Sequence, residues 1–159
     1  MVRQLQPWHA NLGKRQVKAP KVYVRDSGVL HALLGLARER DVLSHPKAGA
    51  SWEGFAIEQA IERGRPDAAY FWATHTGAEL DLLLMKSSRR YGVEVKFQDA
   101  PRVTPSMRIA LADLQLHHLT VLYPGDQRYS LDPHITVVPL ADLASDPGVI
   151  TPPTRGRRP

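Results

Sequence analysis

Apolar residues along this chain keep a helical period up to about residue 64 and a two-residue period after it. Val29, Leu30, Leu33 and Leu34 fall on one face of a helix that Asp26 or Ser27 would cap and that runs to about Leu36. Gly35, Pro46 and Gly49 mark a break. A second helix is expected over Ser51 to Arg63, stopped by Gly64 with Pro66 just beyond. "AYFWAT" (69–74), "ELDLLLM" (79–85) and "YGVEVKF" (91–97) then read as a three-strand meander with hairpin-length connectors. A loop over 101–105 leads to a third helix from Ser106 to Leu116, then to strands "LTVLYP" (119–124) and "ITVVPL" (135–140), with a helical turn in "PLADLAS". A helix between the meander and the later strand predicts parallel pairing there. The order α-β-β-β-α-β, a mixed sheet flanked by helices, is an α/β fold.

The ends read differently. Residues 1–25 look irregular to extended, with "KVYV" as a short strand, and residues 1–26 carry six basic side chains against one acid, Asp26. We therefore expect a basic connector and helix over 1–40, a folded domain over 41–144 and a disordered basic tail over 145–159, where Pro, Gly and Arg show no periodicity. Lys14, Arg15, Lys18 and Lys21 are candidate contacts to nucleic-acid phosphates, an interaction that would be salt-sensitive and blind to sequence. A pair of solvated ends explains the same charges equally well. With 43% apolar and 23% charged residues, the chain has the composition of a soluble globular domain. No cysteine is present, which excludes disulfides and thiolate metal sites and suits a reducing cytoplasm. The first twenty residues hold no apolar run of a signal peptide, and no stretch is apolar enough to span a membrane.

Charged residues on the apolar strands carry the candidate chemistry. Strict alternation puts Leu80, Leu82 and Leu84 on one face and Glu79, Asp81 and Leu83 on the other. It likewise separates Val93 and Val95 from Glu94 and Lys96, so Asp81 and Glu94 can project from one face of a hairpin. On the second helix Ala56, Ile57, Ala60 and Ile61 surround the direction of Glu53, while Glu58, Gln59, Glu62 and Arg63 occupy the polar arc. Buried carboxylates are normally paired or bound to metal. Three carboxylates near one ammonium would suit Mg²⁺ or Mn²⁺, which can activate a water and stabilise a phosphate under attack, with Lys96 assisting. His75 and Glu79 stand near enough in sequence to support such a site. The competing reading makes Glu94 and Lys96 a solvated strand face and pairs Asp81 with Arg89 or Arg90. His117 and His118 read as a helix end, and Trp8, Trp52 and Trp72 as core or interface residues.

Asp81, the run Glu94-Val95-Lys96 and the helix acid Glu53 resemble the PD-(D/E)XK nuclease-like superfamily, with Leu80 where the name has proline. A wider resemblance runs from about Trp8 to Leu143. "PWHANLGKRQVKAPKVYVRDSGVLHALLGL", "SWEGFAIEQ", "GAELDLLL" and "GVEVKF" are similar to the C-terminal domain, of unknown function, of prokaryotic predicted AAA-type ATPases, assigned to the same superfamily. The resemblance implies a restriction-endonuclease-like core and metal-dependent hydrolysis of DNA. It implies Asp81, Glu94 and the Val95 carbonyl as ligands of Mg²⁺ or Mn²⁺, and catalytic roles for Lys96 and Glu53. It also implies an ATPase half as partner, although the only Gly-Lys here, Gly13-Lys14, is not a P-loop, so the chain itself is not expected to bind ATP that way. The alternatives are a non-catalytic module that binds nucleic acid or protein and positions an ATPase, or a folded remnant without activity.

Overall fold

The computed structural model describes residues 1–9, 13 and 15–153. Its centre is a six-stranded mixed sheet. The expected meander is present as β3 (Ala68–Ala73), β4 (Glu79–Lys86) and β5 (Arg89–Val95), paired antiparallel. After a helix over Pro105–Asp113, β6 (His118–Tyr123) runs parallel to β5, as expected of a helical crossover. Thr104 caps that helix, accepting the Met107 N–H at 3.3 Å, and Pro105 opens it at a position where no N–H is needed. β8 (Ile135–Pro139) lies parallel to β6, and β7 (Tyr129–Asp132) closes the edge antiparallel to β8. The sequence reading does not contain β7, a four-residue edge strand. The turn after β8 is a 3-10 helix over Leu140–Ala144, in the place expected.

A long helix, Ala48–Gly64, covers one face of the sheet, and the Pro105–Asp113 helix covers the other. Ala56, Ile57 and Ala60 of the long helix pack on Leu82, Leu84, Val93 and Val95. Met107, Ala110 and Leu114 pack on Leu80, Leu83, Leu119 and Val121. Leu80 and Leu83 thus share a face, against the strict alternation expected. The cause is a β-bulge: Tyr70 pairs with Leu83 and Trp72 with Leu80, so two steps on β3 match three on β4. The period breaks at Asp81 and Leu82.

The basic connector is part of the fold. β1 (Val2–Leu5) and β2 (Lys21–Val24, the expected "KVYV" strand) form an antiparallel hairpin. Described residues between them pair with the free edge of β3, where Trp8 N–H donates to Phe71 O at 2.7 Å and Val17 N–H to Ala73 O at 2.9 Å. An edge strand is thereby covered. The hairpin is fastened to the long helix by Arg3, bonded to Glu58 Oε1 at 2.8 Å, and by Arg25 on the same oxygen at 2.7 Å. Glu58, expected on the polar arc, is therefore buried. The first helix spans Ser27–Leu33 and is capped by Asp26, which accepts the Val29 N–H at 2.9 Å. A short helix at Glu39–Leu43 was not expected.

The tail also differs from expectation. Pro147–Ile150 form a 3-10 turn instead of disordered chain, because Ile150 is fully buried against the long helix and the core it shares with Leu143. Residues 154–159 lie outside the described residues.

Candidate functional site

The site forms where β4 and β5 part. Their described pairing begins at Lys86 and Arg89 and ends at Leu82 and Val93. Asp81, next on β4 and displaced by the bulge, turns its carboxylate into the gap, where Oδ2 accepts the Val95 N–H at 2.9 Å. Beyond it Lys96 N–H returns to the sheet by donating to Leu122 O on β6 at 2.9 Å. The position is the C-terminal end of a parallel strand, where open α/β sheets place their ligands.

Glu94 is only 2% exposed. Its Oε1 accepts from Lys96 Nζ at 2.7 Å, which confirms that the two residues share a face. Its Oε2 is buried and has no hydrogen-bond partner among the described residues. The reading of Glu94 as part of a solvated strand face is thus overturned. Asp81, also buried, bonds to neither Arg89 nor Arg90 among the described residues; Arg90 instead donates to Leu114 O at 3.0 Å.

Glu53 approaches from the long helix, and its company comes from the hairpin. Glu53 Oε1 accepts from Tyr23 Oη at 2.6 Å and lies 3.4 Å from Lys21 Nζ. Lys21 Nζ stands 3.7 Å from Asp81 Oδ1 as well. Gly54 permits this docking, since a Cβ there would meet Tyr23 Cδ1 at 3.2 Å. The expected convergence of three carboxylates is therefore altered. Asp81 and Glu94 form the inner pair, and Glu53 reaches them through Lys21. Among the described residues, no group of three His, Asp or Glu side chains is placed to hold a metal ion.

Burial raises the Asp81 carboxyl above the ordinary carboxylate range and the charge of Glu53 adds to it, against the Val95 N–H and the two lysines. Burial, then the nearby Asp81, pushes Glu94 up to about 7 despite the pull of Lys96. Burial alone would lower both lysines. Glu53, Asp81 and Glu79 outweigh it at Lys21, and Glu94 with Asp81 and Glu79 does so at Lys96, so both are held above their ordinary values as cations. Tyr23 is pushed strongly upward by burial and then by Glu53, and stays a donor. Two buried carboxylates thus face two ammonium groups, and one carboxylate oxygen is left unsatisfied among the described residues.

The remaining candidates fall at the rim or elsewhere. Val95 contributes its N–H to Asp81. Glu79 is exposed at the start of β4, close enough to act on both lysines. His75 is exposed in the β3–β4 turn, and its ring makes no hydrogen bond or ion pair with the acids among the described residues. Arg15 and Lys18 are exposed, as phosphate contacts require, while Lys14 lies outside the described residues. Lys21 belongs to the site, where two carboxylates engage it, and does not present a free cation to a phosphate. His117 and His118 do not end a helix: the helix stops at Asp113 and His118 opens β6, with the His117 ring against Tyr91 and the His118 ring bonded to Thr136 Oγ1 at 3.1 Å. Tyr23 was missed by sequence reasoning, as was the placement of Lys21. The signal was there in part, because alternation puts both on one face of "KVYV", but nothing local says which acids they meet.

Comparison with known proteins agrees with a unit of undefined role. Uncharacterized proteins of Mycobacterium tuberculosis and Mycobacterium bovis are each 48% identical over 139 residues, which is 87% of this chain and 32% of the relative. The chain thus spans about a third of the length of these curated relatives. No solved structure matches it. A second domain model of unknown function, DUF8612, matches residues 1–40, which contain the hairpin and the first helix. The model for the domain of unknown function DUF4143 matches residues 48–143, more than half of the chain, from the long helix past β8, and the chain belongs to that family.

Proposed function

We propose that this domain hydrolyses DNA phosphodiester bonds with Mg²⁺ or Mn²⁺, as its resemblance to the PD-(D/E)XK nuclease-like superfamily implies. The observation that carries the reading is Glu94, whose buried Oε2 has no hydrogen-bond partner among the described residues and whose carboxyl feels the charge of the buried Asp81. A buried carboxylate oxygen left unsatisfied is costly unless a ligand completes it. Two carboxylates also suit a cation that keeps several waters and takes the rest of its oxygens from a phosphate. Bound there, the metal would supply Lewis-acid stabilisation and a water of lowered pKa. Asp81, fixed by the Val95 N–H, and Glu94, fixed by Lys96, would hold it. Lys96 would orient the attacking water and stabilise charge developing on the phosphate. Glu53, tied to Tyr23, would set the position of Lys21 at the margin.

Incubation of wild type with plasmid, single-stranded and branched DNA tests this, with each metal and with Asp81→Asn and Lys96→Ala in parallel. Metal-dependent hydrolysis lost in both variants is expected. Hydrolysis that survives both substitutions would sink the assignment.

A second reading is favoured by Lys21. An ammonium between Glu53 and Asp81 already neutralises acids that a metal would otherwise neutralise. On this reading the cluster is a structural network of a non-catalytic module that positions a partner, the ATPase half implied by the resemblance or nucleic acid. Calorimetry with Mn²⁺ separates the two: binding heat abolished by Glu94→Ala supports the enzyme, and none at millimolar metal supports the module.

A further inference from the structure

Three aromatic rings adjoin the acids in sequence and meet in space. Trp52 and Phe55 bracket Glu53 on the long helix, and Phe97 directly follows Lys96. The Trp52 and Phe97 rings lie 5.7 Å apart, inclined by 36°, and Trp52 and Phe55 lie 6.3 Å apart at 49°. Phe55 is 38% exposed and Phe97 45%. Trp8 and Trp72 satisfy the expectation of core or packing roles, Trp72 fully buried and Trp8 against Tyr70 at 5.0 Å. Trp52 meets it too, packed against the core beneath the long helix. Its ring supports two exposed rings, and its Nε1 is buried without an acceptor among the described residues. The Trp8 Nε1 is left in the same way, so it is the two exposed rings beside it, and not the indole N–H, that distinguish Trp52.

We propose that Phe97 and Phe55, backed by Trp52, form a stacking platform for an unpaired base of single-stranded DNA whose phosphate enters the site of Asp81, Glu94 and Lys96. The proposal rests on the nuclease reading and names its substrate class. Base stacking on aromatic side chains accepts any base, because every base has a π-face, but it requires a base outside the duplex. Trp52 adjoins Glu53 and Phe97 adjoins Lys96 in the chain, so the rings border the site and a base stacked on them brings its backbone to that border. The platform therefore selects strand ends, loops and single strands without reading sequence.

The test is a binding titration in EDTA, read by tryptophan fluorescence and by anisotropy of labelled DNA. The probes are oligo(dT) of about twelve nucleotides, an abasic strand of equal length, and a blunt duplex. Oligo(dT) should bind roughly tenfold tighter than the abasic strand, with quenching; Phe97→Ala should abolish that preference and Phe97→Tyr restore it. Phe55→Ala, at an exposed helical position, serves as the second variant should Phe97→Ala fail to fold by circular dichroism. Equal affinity for abasic and base-bearing strands, an unchanged preference in the variants, or no binding of any probe overturns the platform. Metal-dependent cleavage of duplex without base preference would sink the platform and leave the nuclease. Base-dependent binding without hydrolysis would sink the nuclease and leave the platform.

Discussion

Lys21 Nζ lies 3.7 Å from Asp81 Oδ1, so the N-terminal hairpin delivers a cation to the buried acid of the central sheet. The same ammonium sits over the Phe71 ring, 5.5 Å from its centroid, which fixes its stem. Lys21→Met keeps the stem and removes the charge. We expect Mn²⁺ to bind about tenfold tighter to the variant, a change of about 1.4 kcal/mol. The metal-free protein should be less stable, since two carboxylates lose their counter-ion. Calorimetry and thermal melts read both, and an unchanged affinity would show that Lys21 and metal do not compete.

Asp81 has two separable jobs, as an acceptor for Val95 N–H and as a charge. Asp81→Asn retains an acceptor oxygen, whereas Asp81→Ala leaves a buried N–H unsatisfied at a cost of about 1–3 kcal/mol. Urea denaturation should therefore rank wild type and Asp81→Asn well above Asp81→Ala, while DNA hydrolysis is lost in both variants. Equal stability of the two variants would mean that the bond to Val95 does not hold the strands at their divergence.

Acid should loosen the hairpin from the long helix. The hydrogen bond from Arg3 holds Glu58 below its ordinary value of 4.5, against burial, with Arg25 assisting. A carboxyl whose folded pKa is lowered contributes stability that is present above its unfolded pKa and lost as pH falls through the folded one. Melting temperature should consequently drop below about pH 4.5. Glu58→Gln should be less stable at neutral pH and show a shallower acid dependence. Parallel curves for the two proteins would assign the acid lability elsewhere.

The C-terminal turn should contribute to stability in spite of its composition. Ile150 is fully buried, and its Cδ1 lies 2.7 Å from where a Cβ on Gly64 would stand. Ile150→Ala should cost about 2–5 kcal/mol in a urea titration. A loss within error would mean that the turn packs weakly and that the long helix stands without it.

How far the site was legible depended on whether its determinants were local. Glu94 and Lys96 are two residues apart on one strand, so alternation alone put them on one face, and their ion pair follows. Asp81 was found as an acid among leucines, but the break in alternation beside it was not. The bulge against β3 reverses the alternation at that point, and a bulge is set by the partner strand. Glu58 was assigned to solvent because a helical wheel registers a single apolar stripe. The long helix is covered on two sides, and the second cover is a hairpin whose arginines pair with that acid.

By itself the sequence determined the order of the main elements, the parallel return of β6 beside β5, a helix cap at Asp26 or Ser27 and the two acids and lysine worth testing. Each depends on periods and spacings within one or two elements. Tertiary structure alone decided that Lys21 and Tyr23 belong among those acids, that Glu94 keeps one oxygen unsatisfied among the described residues, and that Trp52 draws Phe55 and Phe97 together. These depend on how a distant hairpin closes over a helix and how two strands part. Packing of the whole chain sets such relations, and no local pattern encodes them.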